Sequence, residues 1–209
     1  MSSGRGLVEP FGLPALRYCA ILADPPWRFR TWDKREAIRT PTGTAVSAAV
    51  HYRTMTIEDI CALPVGDIAA ADCSLFLWIT WPNLLDALTL IEAWGFAYKT
   101  CAFAWTKAHA GQVEMFQDDI ADQMGLGYWT RANSEVCLLA TRGRPKRVHK
   151  DVRQAIIEPR RAHSRKPSCV YQRIERLVDG PYVELFARSR RAGWDAWGNE
   201  VGKFREAAE

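Results

Sequence analysis

Six largely apolar residues, Tyr18-Cys19-Ala20-Ile21-Leu22-Ala23, run directly into Asp24-Pro25-Pro26-Trp27, and this junction constrains the chain more than any other stretch. The run reads as a buried strand of an α/β sheet. Two consecutive prolines lack N–H donors and have fixed φ, so neither a helix nor a central strand continues through them. What remains is a rigid turn at the carboxyl end of a strand, where open α/β sheets hold their ligands. A carboxylate, two proline carbonyls and a flat indole are gathered there. The set suits a planar group bearing an exocyclic amine: Asp24 and the Pro25 carbonyl accept its two N–H bonds while Trp27 stacks on its face. The plainer alternative is a strand ending in a proline turn, with Trp27 as a core aromatic. The position directly after a strand favours the functional reading.

A chain of 209 residues suits one domain with room for a sizeable core. We take residues 1–209 as that domain, with 1–17 as an N-terminal extension that could contribute to a cofactor site. Hydrophobic content of 48% and charged content of 25% fit a soluble globular protein. The start, Met1 to Gly6, shows no apolar core of a secretory signal. No apolar stretch is long enough to span a bilayer. Cys19, Cys61, Cys73, Cys101, Cys137 and Cys169 are scattered without a Cys-x-x-Cys pair. That pattern suits reduced core cysteines rather than structural zinc or a disulfide framework, and makes the cytoplasm the expected compartment.

Charge is unevenly spread. Ten of the chain's 28 Lys/Arg lie between Arg142 and Lys166 against two acids, Asp151 and Glu158. Positive charge this concentrated is what a phosphate backbone rewards, and Arg144, Lys146, Arg147 and Lys150 are its candidate contacts. A solvated loop with no partner is the competing reading.

Alternating elements are expected along the chain. Arg28 to Thr44 is polar and turn-rich, and reads as a loop. Thr56 reads as the N-cap of a short helix to about Leu63, with Glu58 and Asp59 in its first turn. Cys73 to Ile79 is a second buried strand. Pro82 opens a helix ending near Gly95. Ala97 to Thr106 and Val136 to Ala140 are further strands, separated by a second loop across residues 107–130. After the basic loop, Pro167 opens a helix that stops before Gly180, and Tyr182 to Ala187 is the last strand. The architecture predicted is a doubly wound, mostly parallel α/β sheet.

Several segments, in order, resemble the MT-A family, typified by the catalytic subunit of the mRNA adenosine amino-methyltransferase. They are Ala23-Asp-Pro-Pro-Trp27, His51-Tyr-Arg-Thr-Met55, Leu75-Phe-Leu-Trp78 and Trp105-Thr-Lys107, continuing with Gly127-Tyr-Trp129 and Asn133-Ser-Glu135 through Arg142-Gly143. His163-Ser-Arg-Lys-Pro167, Glu184-Leu-Phe186 and Gly193-Trp194 through Trp197-Gly-Asn-Glu200 complete the series.

The resemblance implies a Rossmann-like class I methyltransferase that uses S-adenosylmethionine. Its motif order is permuted, so the catalytic turn comes first and the cofactor half lies near the C-terminus. It implies catalytic roles for Asp24, Pro25, Pro26 and Trp27, and requires no metal. It places Lys166, Arg188, Asn199 and Glu200 on the cofactor together with Asp24. It places Tyr52, Glu135, Arg161 and Ser164 around the acceptor base. Glu200 stands where the eukaryotic catalytic subunit has an amide, and a carboxylate there can still accept ribose hydroxyls. The Asp-containing loop that precedes the proline turn in that subunit has no counterpart, which leaves the contact to the cofactor's adenine unassigned, with Phe11 to Leu13 as candidates.

The function implied is methylation of the N6 amine of adenine in DNA, or alternatively in RNA. A base inside a duplex cannot reach such a pocket, so the adenine is single-stranded or flipped out. The reading from a different class is an inactive nucleic-acid-binding subunit; intact Asp24 and Trp27 argue against it. A homodimer or a partner subunit is compatible with either.

Overall fold

The computed structural model describes residues 10–14, 16–27, 54–108, 129–130, 132–159 and 165–202. Seven strands form one sheet: β1 (Tyr18–Ala23), β2 (Ala69–Ile79), β3 (Ala97–Ala108), β4 (Ser134–Arg142), β5 (Ala155–Pro159), β6 (Tyr182–Leu185) and β7 (Trp194–Trp197). Their spatial order is β5-β3-β4-β2-β1-β6-β7. The helices are α1 (Ile57–Cys61), α2 (Val65–Ile68), α3 (Leu84–Ala93) and α4 (Cys169–Leu177). Among these described helices none is long and apolar enough to cross a membrane.

Alternation along the strands builds two cores. On one face Ile21, Ala23, Leu75, Leu77 and Val136 meet Ile60 of α1 and Leu90 and Ile91 of α3. On the other, Leu22, Phe76, Trp78, Phe103 and Trp105 meet Val170 and Ile174 of α4. Because β1 buries both faces, it reads as a continuous apolar run rather than an alternating one. The N-cap expectation holds in detail: Thr56 Oγ1 accepts from the Asp59 N–H at 3.1 Å.

The sheet is Rossmann-like but mixed. β1 pairs in parallel with β2 and β6, β6 with β7, and β3 with β5. β4 is antiparallel to both β2 and β3. The chain leaves the sheet from the carboxyl end of β3 and re-enters at that same edge, so β4 must run the other way. Two strands escaped the sequence reading. β5 sits within the stretch taken as a basic loop, and β7 is a four-residue edge strand beside Gly193 and Gly198. The loops expected at Arg28 to Thr44 and over most of 107–130 lie outside the described residues.

Candidate active site

β1 delivers Asp24 to the middle of the sheet. From β1 the chain passes to β2 on one side, while β6 returns on the other. This is a topological switch point, and the carboxyl ends of β1 and β6 open a crevice there. The proline turn is tied at three places. The Trp27 N–H donates to the Pro25 carbonyl at 2.8 Å and the Met55 N–H to the Pro26 carbonyl at 3.1 Å. The Trp27 indole N–H donates to the Trp78 carbonyl at 3.0 Å. The Pro25 oxygen therefore already accepts one bond, and a carbonyl's second lone pair remains for another donor. Trp27 is half-buried against the core, so it is both a packed aromatic and a ring presented at the turn.

Four charges alternate in series beside this turn. The Lys166 ammonium lies 2.8 Å from Asp24 Oδ2 and 3.1 Å from Glu135 Oε2, and Lys107 lies 2.5 Å from Glu135 Oε1. The antiparallel course of β4 makes this possible, because it brings the start of the strand, with Glu135, to the edge where β1 ends. Burial opposes the Lys166 charge, but Asp24 and Glu135 outweigh it and hold the ammonium well above the ordinary lysine range. Burial would also raise the Glu135 carboxyl, yet Lys166 and Lys107 hold it below the usual range. Beneath the series lies Trp78, with the Lys166 ammonium 5.6 Å from its ring centre.

The adjoining open crevice is lined by Asp24, Lys166, Tyr171, Glu184, Phe186 and Arg188, among others. Desolvation pushes the Glu184 carboxyl up to about 7; the hydrogen bond from Tyr171 opposes the rise, Asp24 adds to it, and Arg188 and Arg165 also oppose it. The Tyr171 hydroxyl donates to Glu184 Oε2 at 2.9 Å. Phe186, the first residue after β6, has φ 62°. A bulky residue in that region costs about 1–3 kcal/mol and is kept only where its surroundings hold it. Here Trp197 packs edge-on against Phe186 at 5.4 Å and against Phe11 at 4.6 Å.

The loops after β6 and β7 are pinned together. The Ala187 N–H donates to the Trp197 carbonyl at 2.9 Å. A Cβ on Gly198 would lie 2.5 Å from the Ala187 carbonyl oxygen, so no side chain fits there. This contact brings Glu200 Oε2 to 3.6 Å from Arg188 Nε. Asn199, next to Glu200, is exposed in the turn after β7.

The structure thus gathers Asp24, Pro25, Pro26, Trp27, Glu135 and Lys166 at one edge, and pairs Arg188 with Glu200. Tyr52, Arg161 and Ser164 lie outside the described residues. The basic segment is divided: Arg165 and Lys166 line the crevice beside Asp24, whereas the candidate backbone contacts Arg144, Lys146, Arg147 and Lys150 do not stand beside the catalytic turn. β4 runs away from that edge, and Arg142 pairs with Cys73 of β2. Arg144, Lys146, Arg147 and Lys150 follow at the far edge, where the Arg144 N–H donates to Asp72 Oδ1 at 2.7 Å and the Val148 N–H to the Leu177 carbonyl at 2.9 Å. The length of β2 from Cys73 to Ile79 separates the two edges by roughly 20 Å.

Glu184, Tyr171 and Lys107 were not among the expected site residues. A lone glutamate inside the apolar run Tyr182–Leu185 was a usable signal for the first. Lys107 closes the family segment Trp105-Thr-Lys107, which was its signal; Tyr171 carried none, since its role depends on which elements lie alongside. Among the described residues no group of His, Cys, Asp or Glu is placed to hold a metal ion.

A family model described as MT-A70 matches residues 18–200. The chain belongs to the MT-A70 family. It is therefore a methyltransferase of the adenine N6-methyltransferase class, with the Rossmann-like fold expected from its motifs. Among the relatives of this MT-A70 protein, the Type II methyltransferase M.MunI of a Mycoplasma species is 34% identical over 200 residues, covering 90% of this chain and 80% of that protein. The N6-methyladenosine RNA methyltransferase MTA1 of Pyricularia oryzae is 30% identical, covering 92% of this chain and 49% of the relative. The human N(6)-adenosine-methyltransferase catalytic subunit METTL3 is 24% identical, covering 88% and 28%. The chain spans four-fifths of the first of these and half or less of the other two.

Proposed function

We propose that this chain transfers the methyl group of S-adenosylmethionine to the N6 amine of an adenine in DNA, presented single-stranded or flipped out of a duplex. The observation that carries the reading is the Asp24 carboxylate, ion-paired to Lys166 where the proline turn meets the crevice. Adenine's amine is a weak nucleophile because its lone pair is delocalised into the ring. Hydrogen bonds from its two N–H groups to Asp24 and to the second lone pair of the Pro25 carbonyl draw the nitrogen toward sp³. They also stabilise the positive charge that develops there. Trp27, anchored to the Trp78 carbonyl, holds the base by its face and aligns the amine. Glu135 lines the acceptor side, with Tyr52, Arg161 and Ser164 completing it in this reading.

The crevice suits the cofactor's chemistry. Asp24 and Glu184 match its ammonium and sulfonium charges, while Arg165, Lys166 and Arg188 match its carboxylate. Glu200 and Asn199 can receive ribose hydroxyls, and the rings of Phe11, Phe186 and Trp197 offer a surface for its adenine. S-adenosylmethionine, when bound, supplies an electrophilic methyl: its S–CH₃ bond breaks as N–CH₃ forms, sulfur leaves neutral with the bonding pair, and the N6 proton passes to solvent.

DNA is favoured over RNA because the relative named as a type II methyltransferase is matched along most of its own length, whereas the relatives named for adenosine are matched along half or less. The test is tritium transfer from labelled S-adenosylmethionine into matched single- and double-stranded DNA and RNA, followed by nucleoside digestion. N6-methyldeoxyadenosine supports the proposal. N6-methyladenosine from RNA alone moves the substrate to RNA, and methylcytosine overturns the assignment.

A further inference from the structure

Among the described residues, a large aromatic ring beside the site belongs to neither core. Trp81, just beyond the carboxyl end of β2, is 53% exposed, and Leu85, one turn further on, is 74% exposed. The ring is nonetheless held in place. Its indole N–H donates to Ser134 Oγ at 3.3 Å. The short 3₁₀ turn Trp81–Asn83 that carries it is locked by Asn83 Nδ2 donating to Thr80 Oγ1 at 2.9 Å, and by the Asn83 N–H donating to the Thr80 carbonyl at 2.9 Å.

Trp81 belongs to the same edge as the catalytic turn by two routes. Trp27 is hydrogen-bonded to the Trp78 carbonyl, and Trp78 to Trp81 is three residues, at most about 10 Å of chain. Ser134, which orients the Trp81 indole, directly precedes Glu135, whose carboxylate holds Lys166 against Asp24. A stacked nucleic-acid strand advances ~3.4 Å per nucleotide. A strand whose adenine enters at Trp27 therefore has its next one to three bases within reach of Trp81.

We infer that Trp81 is a stacking platform for a base flanking the target adenine in the DNA strand, a binding subsite separate from the acceptor pocket. The inference rests on the proposed polynucleotide substrate. A flat, rigid, half-exposed indole gives sequence-tolerant affinity through the π-face that every base possesses. Because its N–H is already satisfied within the protein, the ring contributes its face rather than a base-specific hydrogen bond. It therefore adds affinity and register, with recognition left to other groups.

The experiment is fluorescence anisotropy with a fluorescein-labelled, single-stranded 15-mer oligodeoxynucleotide containing one central adenine among pyrimidines. It is run in the presence of S-adenosylhomocysteine, alongside six versions with a single abasic position within three nucleotides of that adenine. Wild type should lose affinity on the order of 10-fold at one or two abasic positions on one side, the effect of one base–aromatic stack. Trp81→Ala should bind the intact oligonucleotide on the order of 10-fold more weakly and become indifferent to those positions, whereas Trp81→Phe retains most of the affinity. Thermal stabilisation by S-adenosylhomocysteine should be unchanged in both variants, showing the fold and crevice intact. A wild type that binds but shows no abasic-sensitive flank, or a Trp81→Ala variant that keeps the abasic penalty, overturns the stacking site alone. A wild type that binds none of the oligonucleotides while still binding S-adenosylhomocysteine overturns the polynucleotide reading with it.

Discussion

The Lys166 ammonium sits 2.8 Å from Asp24 Oδ2 and carries no other short ion pair among the described residues except that to Glu135. Their side chains are only 18% and 21% exposed. The pair joins the segment before α4 to the end of β1, across the mouth of the crevice. Replacing Lys166 with Met leaves Asp24 without its cation and Glu135 with Lys107 alone. Breaking a fully buried pair costs about 3–5 kcal/mol, and partial exposure reduces this to about 2 kcal/mol here. Urea unfolding should show that loss, with methyl transfer lowered at least ~100-fold. Lys166→Arg should recover most of the stability.

Asp24→Ala should lower methyl transfer on the order of 1,000-fold and leave the fold intact. Removing one group that stabilises developing charge costs roughly 100- to 1,000-fold in kcat, and Asp24 also helps orient the amine, so the effect should reach the upper end. Tritium incorporation measures this, with circular dichroism as the control for folding. Retained activity would discard the mechanism proposed above.

Glu184 gives the crevice a pH dependence. Burial raises its carboxyl to about 7, with Tyr171, Asp24, Arg188 and Arg165 as the groups that also act on it. Charging Glu184 therefore weakens the folded state as pH rises from the ordinary carboxylate range through 7. A bound ammonium favours the ionised form, so S-adenosylhomocysteine should bind more weakly below pH 7, by up to about 10-fold between pH 8 and 6. Isothermal titration at pH 6, 7 and 8 tests this. Glu184→Gln should bind more weakly at pH 8 and flatten the profile.

Gly198→Ala should destabilise the protein by about 1–3 kcal/mol, the usual cost of overpacking. The added methyl meets backbone at Ala187, which cannot swing aside as a side chain can. Because the same contact places Glu200 near Arg188, S-adenosylhomocysteine affinity should fall in parallel. Thermal melts with and without ligand separate the two effects.

The basic edge makes a distinct prediction. Arg144, Lys146 and Arg147 lie roughly 20 Å from the catalytic turn along β2, so any phosphates they contact are several nucleotides from the target. Changing all three to Ala should reduce polynucleotide affinity and lower the salt slope by about 2–3, while leaving kcat at saturation unchanged. An unchanged slope would make this edge a solvated loop.

Much of the local structure was legible in the residues. The strand Tyr18–Ala23 coincides with β1, the Thr56 cap forms as expected, and Pro82 stands in the turn leading into α3. These features depend on neighbours a few positions away. β5 and β7 were missed because short edge strands bury little, and the charge around β5 and the glycines around β7 mask their pattern. The antiparallel course of β4 was illegible for another reason: Ser134–Arg142 has the same apolar content whichever way it runs.

The sequence by itself determined the turn at Asp24-Pro25-Pro26-Trp27, the alternation of strands and helices, and the ordered motifs that place the chain among adenine amino-methyltransferases. Tertiary structure alone decided that Lys166 closes on Asp24 from 142 residues away, that Glu135 and Lys107 extend the ion-paired series, and that Arg144, Lys146 and Arg147 lie at the far edge. Backbone chemistry and periodicity act over a few residues and can be read in order. Strand order and direction are set by burying both faces of one sheet at once, and no local pattern encodes which distant side chains that brings together.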